Sequence, residues 1–245
     1  LFKDTNTKLY FVEKNRNLRD KLLNVKKYKT YMTTPTGYNC YESIIEDCFS
    51  PGEEFSIKYD GAITAVGPRQ VFDLKNNLKK LECPIIFFEN DSTLPSKLSN
   101  LIKSKNFFFG IPDVITSNTA PQNLLHNDDL SIVTEDGQAF ANESAKDIGG
   151  NIKYVNSKEL KTQWLAKLYV HNTPHCIAAY LGSICKLTYL HEGMSSSNIY
   201  TIVKNAMLEM GEALVNVYEL DREFIGWYSK KELSRFSNKL LFDPI

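Results

Sequence analysis

Over the first two thirds of the chain, short apolar runs alternate with polar, helix-like stretches; after that the pattern is helical throughout. Lys8–Val12 reads as a compact strand. Asn17–Lys27 follows, with Leu18, Leu22, Leu23 and Val25 at the spacing of an amphipathic helix. Ala62–Val66 is a second apolar run, stopped by Gly67-Pro68, and Val71–Leu81 carries helical spacing again. Cys83–Phe88, Phe107–Gly110 and Leu130–Thr134 complete five strand candidates. Near-continuous apolar strands alternating with helices predict a parallel sheet covered on both faces, an α/β doubly wound pattern.

The pattern changes near Gly149-Gly150, and Asn151–Ser157 reads as a connector. Ser157–Ile184 is one long helix candidate, with Ser157 as a possible N-cap and Glu159 in the first turn. Ser197–Tyr218 and Ser229–Asn238 are two more. The expectation is an α/β domain over 1–152 and an all-helical domain over 153–245, with no internal repeat.

Composition narrows the classes of function. The 245 residues hold 29 Lys and Arg against 29 Asp and Glu, so no basic excess points to nucleic acid or to an anionic membrane. Apolar stretches such as Pro84–Phe88 and Cys176–Leu181 are too short to span a bilayer. Leu1-Phe2-Lys3-Asp4 has neither a start Met nor the order of a signal peptide. The five cysteines, Cys40, Cys48, Cys83, Cys176 and Cys185, show no Cys-x-x-Cys spacing, which favours reduced thiols. These features predict a soluble, cytoplasmic protein without nucleic-acid or membrane partners.

The chemistry concentrates in Ser157–Ile184. Its apolar residues fall on all sides, which implies burial, yet it carries Lys167, His171, Asn172 and His175. With Lys167 at zero, an α-helix places His171 near about 40°, His175 near about 80° and Asn172 near about 140°, all on one face. Pro174 lies among them and should kink the helix, because it lacks an N–H for the Val170 carbonyl. Three readings stand. The cluster fixes helix packing; or His171, His175 and Cys176 hold a metal, although no carboxylate completes the set nearby; or a buried lysine acts as general base with Asn and His polarising a substrate.

Lys167-Leu-Tyr-Val-His-Asn172-Thr-Pro-His175-Cys-Ile-Ala-Ala-Tyr180-Leu-Gly182 resembles the signature of the mannitol dehydrogenase family of long-chain polyol dehydrogenases. The Asn-Thr-x-His and Ala-Tyr-Leu-Gly wording is most similar to members acting on mannitol 1-phosphate. In chain order, Phe11–Asn15 resembles the second Rossmann strand and its acidic end. Thr64-Ala65-Val66-Gly67-Pro68 is similar to the turn that borders the nicotinamide. Phe88-Glu89-Asn90 looks like the family's Glu-Asn pair, and Arg235-Phe236-Ser237-Asn238 like its Arg-Phe-x-Asn stretch.

The resemblance implies a Rossmann-like domain followed by an all-α domain, NAD as cofactor, a sugar or polyol substrate, no metal, and a monomer or homodimer. It makes Lys167 the general acid/base. Asn172 and Asn90 become donors to the developing oxyanion, and His175 a ligand of a substrate hydroxyl that helps place Lys167. Glu13 accepts from the adenosine ribose hydroxyls and favours NAD over NADP; read from its position alone, it is a solvated carboxylate at a strand end. Thr64, Ala65, Val66, Gly67 and Asn90 line the cofactor. The best substrate pair is mannitol 1-phosphate and fructose 6-phosphate.

Three departures qualify the match. The Gly-x-Gly-x-x-Gly turn and the first strand are missing ahead of Leu9, and the chain stops at Asp243-Pro244-Ile245 where relatives continue, so truncation at both ends is expected. Ile115-Thr116-Ser117-Asn118 stands where many relatives carry Val-Asp-Arg. Pro174 replaces a small residue. A sugar-acid dehydrogenase of the altronate or fructuronate type therefore stays open, as does a catalytically silent fragment or relative that binds without turnover. A dehydrogenase of the β-hydroxyacid type fits less well, since its Lys-x-x-x-Asn spacing is one residue shorter than Lys167 to Asn172.

Overall fold

The structure, a computed structural model, describes residues 6–53, 57–103, 106–145 and 148–245; the opening Leu1–Asp4 lies outside the described residues. They form two compact units. The first comprises the chain up to Thr30 with Cys40–Val114 and Asp136–Leu160; the second comprises Tyr31–Asn39, Ile115–Glu135 and Lys161–Ile245. The helical unit thus takes up two segments from the part of the chain that reads as α/β.

The first unit begins with β1 (Tyr10–Val12) and α1 (Arg16–Val25); a hairpin of β2 (Lys27–Thr34) and β3 (Gly37–Ile44) follows, whose middle, Tyr31–Asn39, belongs to the second unit, and then come β4 (Asp47–Phe49) and β5 (Ala62–Thr64). The expected helix over Val71–Leu81 is a 3-10 turn at Gln70–Leu74 running into a short α2 (Lys75–Lys79). Next come β6 (Ile85–Phe87), α3 (Leu94–Ile102) and β7 (Phe107–Asp113). β8 (Thr116–Ser117) and β9 (Ile132–Thr134) belong to the second unit, and the chain returns with β10 (Gln138–Asn142) and β11 (Ile152–Val155).

β1 and β4 pair in parallel. A second sheet runs β11-β10-β7-β6-β5, with β5, β6 and β7 parallel. Ile85 and Phe87 point to one cluster, with Val71, Leu78, Leu94 and Leu98, while Ile86 and Phe88 point to another, with Ala139, Ala141 and Ile152. A strand buried on both faces is why β6 reads as an uninterrupted apolar run. Gly110 on β7 is required there, since a Cβ would come within 2.3 Å of the Phe88 ring. β1-β4 is thus a parallel pair of its own, and β5, β6 and β7 run side by side in chain order, as consecutive strands of a doubly wound sheet do.

The sheet departs from the all-parallel expectation at one point. β10 joins β7 antiparallel, Gln138 opposite Asp113, because the chain leaves for the second unit after β7 and comes back beside its own end, as a hairpin does. Leu130–Thr134, expected as a fifth parallel strand, instead supplies β9, which pairs antiparallel with β8 in the sheet β3-β2-β9-β8.

The rest of the second unit is helical: α4 (Ser157–Ala166), a π-helical turn over Lys167–Asn172, α5 (Thr173–Ile184), α6 (Leu190–Met194), α7 (Ser197–Tyr218) and α8 (Arg222–Phe236). α7 has the bounds its periodicity predicts. α8 starts seven residues before the expected Ser229, because the Asp221 carboxylate caps it by accepting from the Phe224 N–H at 2.7 Å. The core is Ala166, Val170, Ala178, Val203, Met207, Leu214, Ile225, Tyr228 and Phe236. Among the described residues, no helix is long and apolar enough to cross a membrane.

Candidate active site

In the helical unit the site is built on the interruption between α4 and α5. The Thr173 N–H bonds the carbonyl of Leu168, five residues back, and the Thr173 hydroxyl donates to the same oxygen at 3.1 Å. The widened turn sits immediately before Pro174, the residue that cannot supply the next N–H. The expected kink is thus a π turn, and it changes the geometry. In an α-helix Asn172 lies well round the barrel from Lys167, whereas the wider i to i+5 turn moves it closer to the face that carries Lys167. Lys167 is buried and Asn172 half-buried, and among the described residues the Asn172 side-chain amide has no partner.

His171 and His175 stack, with ring centres 5.6 Å apart, and both pack on Phe236. Each is held by a carboxylate from another element. His171 Nδ1 lies 2.5 Å from Glu232 Oε2, and His175 Nε2 lies 2.8 Å from Asp243 Oδ2. Burial lowers the His171 pKa below the usual imidazole value; Glu232 opposes that shift, and Arg235 and His175 reinforce it. His171 is accordingly neutral at pH 7, and beside a carboxylate acceptor its proton sits on Nδ1.

The strap that carries Asp243 is anchored from two directions. The hydroxyls of Ser117 and Thr119 donate to the Phe242 carbonyl at 2.8 and 2.9 Å, and Leu190 N–H donates to the Asp243 carbonyl at 2.9 Å. Two hydroxyls thus anchor the strap that bears the partner of His175. Among the described residues, no group of three or more His, Cys, Asp or Glu could hold a metal ion.

In the α/β unit the sequence-predicted residues lie at the carboxyl ends of parallel strands, where open α/β sheets bind ligands. Glu13 follows β1; its N–H bonds the Phe49 carbonyl at 3.0 Å and its Oε1 accepts from Asn15 N–H at 2.6 Å. Thr64 ends β5. Its Oγ1 is buried and has no hydrogen-bond partner among the described residues. Ala65 and Val66 are exposed, and Gly67 takes φ +95°, a conformation that favours glycine. Asn90, after β6, is exposed.

Beside them is a residue the sequence reading left without a role. Glu89 is buried, and its two oxygens accept from Val66 N–H at 3.0 Å and Gly67 N–H at 2.9 Å. It clamps the turn after β5 to the end of β6 and occupies both turn donors, so Val66 and Gly67 face a ligand with carbonyls and side chain rather than N–H groups. The signal was present as a lone acid between the apolar β6 and Asn90.

Comparison with known proteins agrees with this layout. Residues 160–245 match the mannitol dehydrogenase C-terminal domain. A mannitol-1-phosphate 5-dehydrogenase of Caldanaerobacter subterraneus subsp. tengcongensis is 36% identical over 87 residues, 36% of this chain and 22% of that protein. One from Oceanobacillus iheyensis is 26% identical over 96% of this chain and 68% of its own length. Among solved structures, Pseudomonas fluorescens mannitol 2-dehydrogenase, in a ternary complex with NAD and D-mannitol, superposes with TM-score 0.73 at 16% identity, covering 98% of this chain and 64% of that one. A D-sorbitol dehydrogenase gives 0.63 at 14%, covering 98% and 66%. The chain spans about two thirds of the length of the relatives it matches end to end. Residues 160–245 are therefore similar in sequence to the mannitol dehydrogenase family, and the chain as a whole is similar in fold to a mannitol 2-dehydrogenase.

Proposed function

We propose that the protein is an NAD-dependent oxidoreductase that interconverts a polyol or polyol phosphate and the matching ketose, with mannitol 1-phosphate and fructose 6-phosphate as the best pair. The observation that carries this reading is the π turn, which moves Asn172 toward the face of a buried Lys167. Lys167 takes the alcohol proton in oxidation and returns it in reduction. Asn172 donates a hydrogen bond to the oxygen as negative charge develops there, a task the family resemblance also gives Asn90. His175, held by Asp243, binds a neighbouring substrate hydroxyl.

The ends of β1, β5 and β6 fit a dinucleotide. Glu13 has one oxygen on Asn15 and the other available to ribose hydroxyls. Thr64 keeps a buried, unpartnered hydroxyl at the end of β5, beside the turn over Ala65–Gly67, and its carbonyl accepts from the Phe88 N–H at 2.9 Å, two residues before Asn90. NAD, when bound, supplies the hydride acceptor, and these residues bind and orient it. The test is NADH oxidation by the full-length protein with fructose 6-phosphate. Turnover supports the reading. Bound NADH without turnover, together with turnover of a keto sugar acid, would move the substrate to the altronate or fructuronate class.

A further inference from the structure

The π turn is held by a buried ionic chain that none of the proposed substrate-binding or catalytic roles uses. Glu232 is fully buried on α8. The Arg235 guanidinium bonds both its oxygens, at 2.7 and 2.9 Å. The remaining donors of Arg235 reach Glu135, Nε at 3.1 Å from Oε2, with a second bond from Nη2 to Oε1. Lys231 lies 3.6 Å from Glu232. At the head of this chain Glu232 meets His171, which sits inside the π turn between Lys167 and Asn172.

Two carboxylates and one guanidinium buried together are costly, and replacing such sets with apolar residues is often neutral or stabilising. Packing alone therefore gives no reason to keep them. What the set does supply is direction. Arg235 is saturated by two acids, so the arginine of the Arg-Phe-x-Asn stretch is committed internally. Glu232 is fixed by Arg235 and can offer His171 only an acceptor. A ring so held cannot rotate or exchange its tautomer without leaving a buried carboxylate short of a partner.

We propose that Glu232 is a positioning residue: by holding His171 through Nδ1, it locks the π turn in the register that moves Asn172 toward the face of Lys167. This rests on the functional reading above, because the register matters for turnover only if those two residues act on substrate. Glu232 itself touches neither substrate nor cofactor in this scheme; it works through His171. The neighbouring carboxylate, Asp243, holds His175 rather than a residue of the turn. α7 presents apolar Val203 and Met207 to the core, with its charged Lys204, Glu209 and Glu212 exposed.

The test is carried out on the full-length protein with three variants. Glu232→Gln keeps size and removes the charge. It should lower kcat roughly 10- to 100-fold, the scale of an ångström-sized misplacement, while KM and NADH affinity move less than about twofold. His171→Asn, which keeps a donor near Nδ1, should retain kcat within about fivefold of the parent, and His171→Phe should not. Imidazole nitrogen and carbon shifts in NMR should report the Nδ1–H tautomer for His171 in the parent and its loss in Glu232→Gln. Parental kcat in Glu232→Gln overturns the inference. If that variant does not fold, equal kcat in His171→Asn and His171→Phe overturns it instead. An Nε2–H tautomer in the parent overturns it whether or not the protein turns over a polyol phosphate. A parent that turns over no polyol, with the Nδ1–H tautomer intact, counts against the functional reading and leaves the Glu232–His171 lock standing.

Discussion

The α4–α5 rod and the carboxyl ends of the sheet present polar groups in opposite ways. On the rod, Lys167 and His171 are buried, and the acids that hold the two histidines come from other elements: Glu232 from α8, Asp243 from the C-terminal strap. At the sheet, Glu13 and Asn90 stand at strand ends in reach of solvent, and local partners hold the backbone: Asn15 for Glu13, Glu89 for the turn after β5. The N–H and C=O groups of a helix are used within it, so a buried polar side chain needs another side chain as partner, and for the two histidines of the rod those partners come from other elements. A strand end carries free backbone groups and a loop beside them, and so can build a site from neighbours. Substitutions on the rod should therefore change turnover or folding, and substitutions at the strand ends should change cofactor binding.

The largest contrast is expected from Lys167→Ala. Loss of the general acid/base should cut kcat/KM by roughly 10²- to 10⁴-fold, with the Kd for NADH unchanged by fluorescence titration. Retained turnover would remove the catalytic assignment, and a matching loss of NADH binding would collapse the distinction between the two regions.

Arg235→Met probes the imported partners. It strands Glu232 and Glu135 without their counter-ion, and breaking a buried pair in this way costs about 3–5 kcal/mol. Urea unfolding should show that loss. A change under about 1 kcal/mol would mean that the chain of charges is dispensable to the fold.

Glu13→Ala should act on binding alone. Hydrogen bonds to a carboxylate are worth about 1.5–3 kcal/mol, so the Kd for NADH should rise about tenfold or more, with kcat at saturating NADH close to the parent. An unchanged Kd would return Glu13 to the role of a solvated strand-end acid that merely accepts from Asn15.

Legibility in the sequence follows the same division. The rod was readable because an all-round apolar helix with four polar residues contradicts itself, and a contradiction of that kind marks a site. Pro174 even announced the interruption, though a π turn rather than a simple kink changes where Asn172 points. Glu232, Glu135 and Asp243 were not readable as partners, since separations of 61 residues, as between His171 and Glu232, leave no local pattern. In the α/β unit, β5 to β7 were evident because burial on both faces makes them uninterrupted apolar runs. β2 and β3 were passed over: with strand residues such as Lys27-Tyr28-Lys29-Thr30 they alternate polar and aromatic positions and bury little. The antiparallel β10 was hidden because its partner β7 lies across an excursion to the other unit, and periodicity does not record where a chain returns.

The smallest expected effect concerns pH. The His171 pKa is depressed in the folded state, first by burial, so the folded protein holds fewer protons on this ring than the unfolded chain once pH falls below the unfolded imidazole value of about 6.5. Stability from this group is therefore complete above about pH 6.5 and is lost as pH drops below it toward the folded-state value. Carboxylates such as Asp91, whose pKa is lowered by its hydrogen bonds to Thr93 and Lys97 against the effect of burial, add their own loss at lower pH. The His171 part is isolated by difference: unfolding free energies of the parent and of His171→Asn, measured from about pH 7.5 down to about pH 5, should converge as pH falls. Parallel curves would show that His171 is protonated as easily in the fold as outside it. That would contradict a neutral ring donating to Glu232, and with it the imported partner that sets the rod apart from the strand ends.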